Sequence, residues 1–90
     1  MLLDKIKRIQ GINHNKFDTT IYMWIKAGKQ ELINIGIKEN LVNSCDSLIE
    51  SAIICFVLSQ LDVVNSEMYS NSYALMKDTL RHTGVYINGI

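Results

Sequence analysis

The sequence predicts an all-α protein: a compact bundle of about four helices around a central apolar helix at 46–62, with an extended C-terminal tail at 85–90. Three observations predict it. Ala52 to Leu58 form an unbroken apolar run inside the stretch DSLIESAIICFVLSQLD. Apolar residues recur every three or four positions in the segments on either side, which is the helical period. The chain has no proline, and Gly11, Gly36 and Gly84 stand where helices stop, a place glycine fills because it adopts left-handed backbone freely.

The central stretch is 17 residues long, longer than most strands, and mixes Leu, Ala, Gln and Glu with its β-branched residues. It is therefore read as a helix. A membrane span needs roughly 20 apolar residues, so the run is too short to be one. A helix apolar nearly all round must be covered on nearly all sides, so the rest of the chain is expected to wrap it. Residues 2–10 form a short amphipathic helix, with Leu2 or Leu3, Ile6 and Ile9 on one face and Lys5, Lys7 and Arg8 on the other. INHN is a turn. Asn15 is placed to cap the next helix, with Asp18 three positions on as in a capping box. Phe17, Ile21, Trp24 or Ile25, Gly28, Leu32 and Ile35 then mark a long helix. A mid-helix glycine costs about 1 kcal/mol against alanine, so Gly28 is better explained by close approach of another helix than by flexibility.

Residues 37–44 are a connection anchored by Leu41 and Val42. Ser44 or Asp46 caps the central helix, Val63 to Asn65 break it, and Ser66 caps a fourth helix. That helix carries the stripe Tyr69, Tyr73, Met76 and Leu80. The tail VYINGI is either disordered in isolation or an arm that adds a strand to a partner. The whole of 1–90 is read as one domain.

Net charge is zero, which gives no overall attraction to nucleic acid or anionic lipid. The opening MLLDKIKRIQ has charges inside too short an apolar run to be a signal peptide, so a cytosolic chain is expected. Cys45 and Cys55, ten residues apart on or beside one helix, are separated by about 15 Å along its axis. That is beyond the roughly 7 Å a disulfide tolerates. Cys55 is read as packing. His14 and His82 have no partners at metal-ligand spacing. No glycine pattern cradles a phosphate, no nucleophile stands beside a base, and no acid pair is singled out by an apolar setting. No cofactor, metal or catalytic residue is assigned, and the chain is read as no enzyme. A helix-turn-helix is disfavoured, since the loop before the central helix is too long for that motif and the helix bears no Lys or Arg.

Charge is nevertheless polarised. Residues 1–30 hold six bases against two acids, +4; residues 31–90 hold three bases against seven acids, −4. Either these surfaces meet across subunits, or they are solvated and pair within one subunit. Apolar surface is also in surplus. Tyr22, Met23 and Trp24 are adjacent and cannot all face one core, and Tyr69, Tyr73, Val85, Tyr86 and Ile87 add more. Aromatic and Met side chains are enriched at interfaces, so these residues, with Lys5, Lys7 and Arg8, are the candidate interface.

The order of segments resembles the small head–tail connector proteins of tailed bacteriophages and prophages, the neck adaptors that ring the portal. The resemblance spans LDKIKRIQGI, then HNKFDTTIYMWIKAGKQELINIGI, then the Asp-initiated DSLIESAIICFVLSQLD, then the Tyr-rich SEMYSNSYALMKDTLRHTG. That family often has proline after the aspartate, where this chain has Ser47. It implies a non-enzymatic virion protein that assembles as a homo-oligomeric ring on the portal and meets the next neck or tail-completion protein. The ring continues the DNA channel, with DNA near but not specifically bound, and no membrane takes part. The protein would sit in the bacterial host cytoplasm during assembly and then in the virion neck. The alternative is a small helical accessory or regulatory protein acting by protein–protein contact; a helical DNA-binding protein ranks third.

Overall fold

The computed structural model describes residues 2–44 and 46–87. Among them run five α-helices: α1 (Leu2–Gln10), α2 (Asp18–Asn34), α3 (Glu39–Val42), α4 (Ser47–Leu61) and α5 (Ser66–Arg81), followed by a 3-10 turn, Gly84–Tyr86. This is the all-α bundle the apolar periodicity predicts. The fifth helix, α3, is one turn within the expected 37–44 connection, and it buries Val42 completely.

α4 is the central apolar helix. Asp46 caps it, its side chain accepting the Leu48 and Ile49 backbone N–H groups at 3.0 and 3.1 Å. This cap satisfies two of the donors a helix start leaves unpaired. α4 packs against α1, α2, α3 and α5. As a result no residue from Leu48 to Ser59 is exposed, and Ile49, Ala52, Ile53, Val57 and Leu58 are closed off entirely. The chain covers this helix by bringing Leu3 and Ile6 from α1, Ile21, Ile25 and Leu32 from α2, and Tyr73 and Leu80 from α5.

Two of the glycine stops carry the left-handed backbone that only glycine takes without strain: Gly11 at φ +68° and Gly36 at φ +104°. Both helix starts at 15–18 and 65–66 differ from expectation. Asn15 does not cap α2, and Asp18 makes no capping box. The helix begins at Asp18, after Phe17, with no side-chain cap. The competitor is Lys7, which donates to Asn15 Oδ1 at 3.0 Å and draws Asp18 Oδ1 to 2.9 Å. That enclosed oxygen has no other polar partner. Phe17, left ahead of the helix, is half-exposed and lies against His14. At the α4–α5 turn Ser66 is no cap either; its hydroxyl donates to the Ser59 carbonyl. Asp62 organises the turn instead, accepting both the side-chain and backbone N–H of Asn65, which holds its carboxyl below the usual carboxylate range.

The tail folds back on its own chain. Ile87 pairs antiparallel with Ile37, the Lys38 N–H donates to the Tyr86 carbonyl at 2.7 Å, and the Tyr86 hydroxyl donates to Asp46 Oδ2 at 2.9 Å. The strand-like pairing expected with a partner is thus made internally, one bridge long, through Gly84–Ile87. The remainder of the 85–90 tail and Cys45 lie outside the described residues, and with Cys45 the expectation about a disulfide.

Candidate interaction surfaces

Gly28 lies where α2 crosses α4. A Cβ there would sit 2.9 Å from Phe56 Cδ2, so the glycine is explained by close approach, as the sequence suggested. The Phe56 ring fills that space and meets Trp24 edge-on at 6.3 Å and Tyr73 at 5.2 Å between centroids. Edge-to-face pairs at this range are favourable. Trp24 is accordingly half-buried against the core, not free surface.

Tyr73 leaves the candidate interface altogether. It is 7% exposed, its hydroxyl donates to Glu31 Oε1 at 2.6 Å, and Lys77 sits 5.1 Å from its ring centroid and 3.4 Å from the same Glu31 oxygen. The stripe on α5 faces inward because α5 lies along α4, so Tyr73 is core. Tyr69 packs half-buried beside it. Burial, and then the Glu31 carboxylate, push the Tyr73 phenol well above its usual pKa. A phenol held protonated in the native state makes stability full below the ordinary tyrosine range. The stability is lost as pH rises past about 10, where the unfolded chain releases the proton first. The expected outcome is a fall in the urea midpoint between pH 9 and 11 that Tyr73→Phe flattens, measured by circular dichroism at each pH.

The basic N-terminal helix pairs largely within the subunit. Lys5 Nζ reaches Glu50 at 2.6 Å and Lys7 reaches Asp18. Arg8 is exposed and joins no ion pair among the described residues. The Lys5 side chain is half-exposed, and exposed pairs of that kind are worth about 0–1 kcal/mol, whereas the Lys7–Asp18 pair is largely enclosed.

Besides Ile9 on α1 and Phe17 ahead of α2, each about half-exposed, two apolar surfaces face outward. On α2, Tyr22 and Met23 are about half-exposed. Beside them Leu2, Leu3, Tyr22 and Ile25 wall an open groove of about 520 Å³, rimmed by Lys26, Lys29 and Asn43. On the other side, Met68 and Leu75 project from the outer face of α5, Leu75 at 72% exposure, and Val63 and Val64 stand clear at the α4–α5 turn. The sequence marks Val63 and Val64 only as the break after α4, and it does not mark Met68 and Leu75, although these lie seven apart and off the Tyr69–Tyr73–Met76–Leu80 stripe. A helical wheel carries that signal. Of the tail, Val85 is exposed while Tyr86 and Ile87 are half-buried by the contacts to Asp46 and Ile37.

His14 accepts the Lys16 N–H, and His82 is held to the Asp78 carbonyl at 2.7 Å, each on the surface. Burial pushes the Cys55 thiol up, away from a reactive thiolate. Among the described residues no group of three or more His, Cys, Asp or Glu is placed to hold a metal ion, and no helix is long and apolar enough to cross a membrane. A scan of family models found no match, and searches of curated proteins and of solved structures found none either.

Proposed function

We propose that the chain is a head–tail connector subunit of a tailed phage or prophage, a structural protein that assembles as a ring on the portal and continues the DNA channel toward the tail. The observation that supports it is the order of parts. A short opening helix, a long helix after a polar turn, an apolar helix opened by Asp46, and a Tyr-rich helix follow one another as in the resemblance described above. The apolar residues left outside, Tyr22, Met23, Met68 and Leu75, suit a subunit finished by neighbours. Its partners are then the portal and the next neck or tail-completion protein. DNA passes by without a specific contact, and the protein moves from host cytoplasm to virion. Lys5 and Lys7, two of the three bases on the opening helix, are paired inside the subunit and so not offered to phosphate.

Deleting the gene from the phage or prophage that carries it tests this directly. Electron microscopy of the lysate is expected to show DNA-filled heads and unattached tails; intact virions in normal number sink the proposal. A helical accessory protein acting by contact is the second reading, favoured by the same groove. It predicts intact virions and capture of a partner unrelated to the portal.

A further inference from the structure

The groove between α1 and α2 and the outer face of α5 are both apolar and opposite in charge. The groove is apolar at its floor, with Lys26 exposed and Lys29 half-buried at its rim. Neither lysine joins an ion pair among the described residues. The α5 face offers Met68 and Leu75, seven residues and about 10 Å apart along the axis, on one side of the helix. Glu67 stands next to Met68, exposed and likewise outside every ion pair among the described residues. Tyr22 and Lys29 are also seven residues apart, so α2 presents an aromatic end and a basic end at the same separation. An amphipathic helix laid on a groove through residues at such spacings is a recurrent recognition mode.

We propose that the groove takes α5 of a second copy of this chain, with Met68 and Leu75 seated on Leu2, Tyr22 and Ile25, and Glu67 against Lys26 and Lys29. The groove belongs to α1 and α2, whereas the inserted face belongs to α5. Each copy therefore uses two different surfaces, and the contact is head-to-tail. Such heterologous contacts close into rings or run on as filaments, and they never stop at a symmetric pair. The overall split of +4 in residues 1–30 and −4 beyond makes a second copy the complementary partner without any other protein. This contact deepens the proposed ring and rests on the chain being a self-assembling subunit.

Sedimentation velocity of the full chain at low salt, across a concentration series, is the test. Wild type is expected to self-associate as concentration rises. Lys26→Glu with Lys29→Glu, and separately Met68→Asp, should each weaken association about tenfold or more, with unchanged circular dichroism melts. Mixing the two variants is the decisive arm. The lysine variant keeps its α5 face and the Met68 variant keeps its groove, so the mixture should form one-to-one pairs that grow no further. Variants that associate like wild type, or a mixture that forms no pair, overturn the contact. A wild type that is monomeric at every concentration overturns it too. Adding portal protein to the same run separates the two ideas: co-sedimentation with the portal leaves the head–tail reading standing without this contact.

Discussion

Ile53→Ala is expected to remove about 2–5 kcal/mol of unfolding free energy, the cost of truncating a closed-off branched side chain and leaving a cavity. Ile53 is 1% exposed and sits mid-way along α4, where helices from every side meet. Domains hold roughly 0.05–0.15 kcal/mol per residue, so 90 residues carry about 5–13 kcal/mol in all. One substitution therefore takes a large share of the total. Urea unfolding is expected to show a much lower midpoint with an unchanged slope, since the slope follows surface exposed and not packing. Leu75→Ala is the matched control. Leu75 loses comparable volume but is 72% exposed, and its midpoint should stay near wild type. Equal losses at the two positions would mean that α4 is not the covered centre of the fold.

Gly28→Ala is expected to destabilise by up to about 2 kcal/mol although alanine is the better helix former. Helix propensity alone favours the change by about 1 kcal/mol. Against it, the new methyl group would stand 2.9 Å from Phe56 Cδ2, closer than real Cβ contacts come. The Phe56 ring cannot step aside cheaply, because Trp24 and Tyr73 hold it from two directions. Overpacking of this kind costs about 1–3 kcal/mol, so packing outweighs propensity. The sign itself is testable by a double-mutant cycle. In a Phe56→Ala background the obstacle is gone, and Gly28→Ala is expected to become stabilising. Residues in contact couple by about 0.5–3 kcal/mol, well within chemical-denaturation precision. Additive effects in the cycle would mean that Gly28 answers to something other than Phe56.

Both expectations rest on α4, and that helix was the most legible part of the chain. Ala52 to Leu58 can only be an interior segment, and its cap was narrowed to Ser44 or Asp46, of which the structure uses Asp46. The stops at Gly11 and Gly36 were equally legible, because a positive φ belongs to glycine. The starts of α2 and α5 were not. At each, a polar side chain expected to cap was engaged elsewhere: Asn15 and Asp18 by Lys7 from α1, and Ser66 by the Ser59 carbonyl across the turn. Capping patterns describe neighbours along the chain, and these competitors arrive from another element or across a turn.

The candidate interface divides in the same way. Tyr22 and Met23 are outward, as their crowding on one helix implied. Tyr73 is core because α5 lies along α4, whereas composition names an aromatic without saying which way its stripe faces. Tyr86 gives its hydroxyl to Asp46 and Ile87 its backbone pairing to Ile37, forty and fifty residues away.

What the sequence by itself determined was the all-α class, the order of helices and the central helix, with its cap narrowed to Ser44 or Asp46, since these depend on period, run length and groups a few residues apart. What only the tertiary structure decided was which charged and aromatic groups remain for partners. Lys5 pairs with Glu50, Tyr73 with Glu31, and Tyr86 with Asp46, while Lys26, Lys29, Met68 and Leu75 stay outward. Those assignments follow from distances between segments far apart in the chain, set when α1, α2 and α5 close around α4.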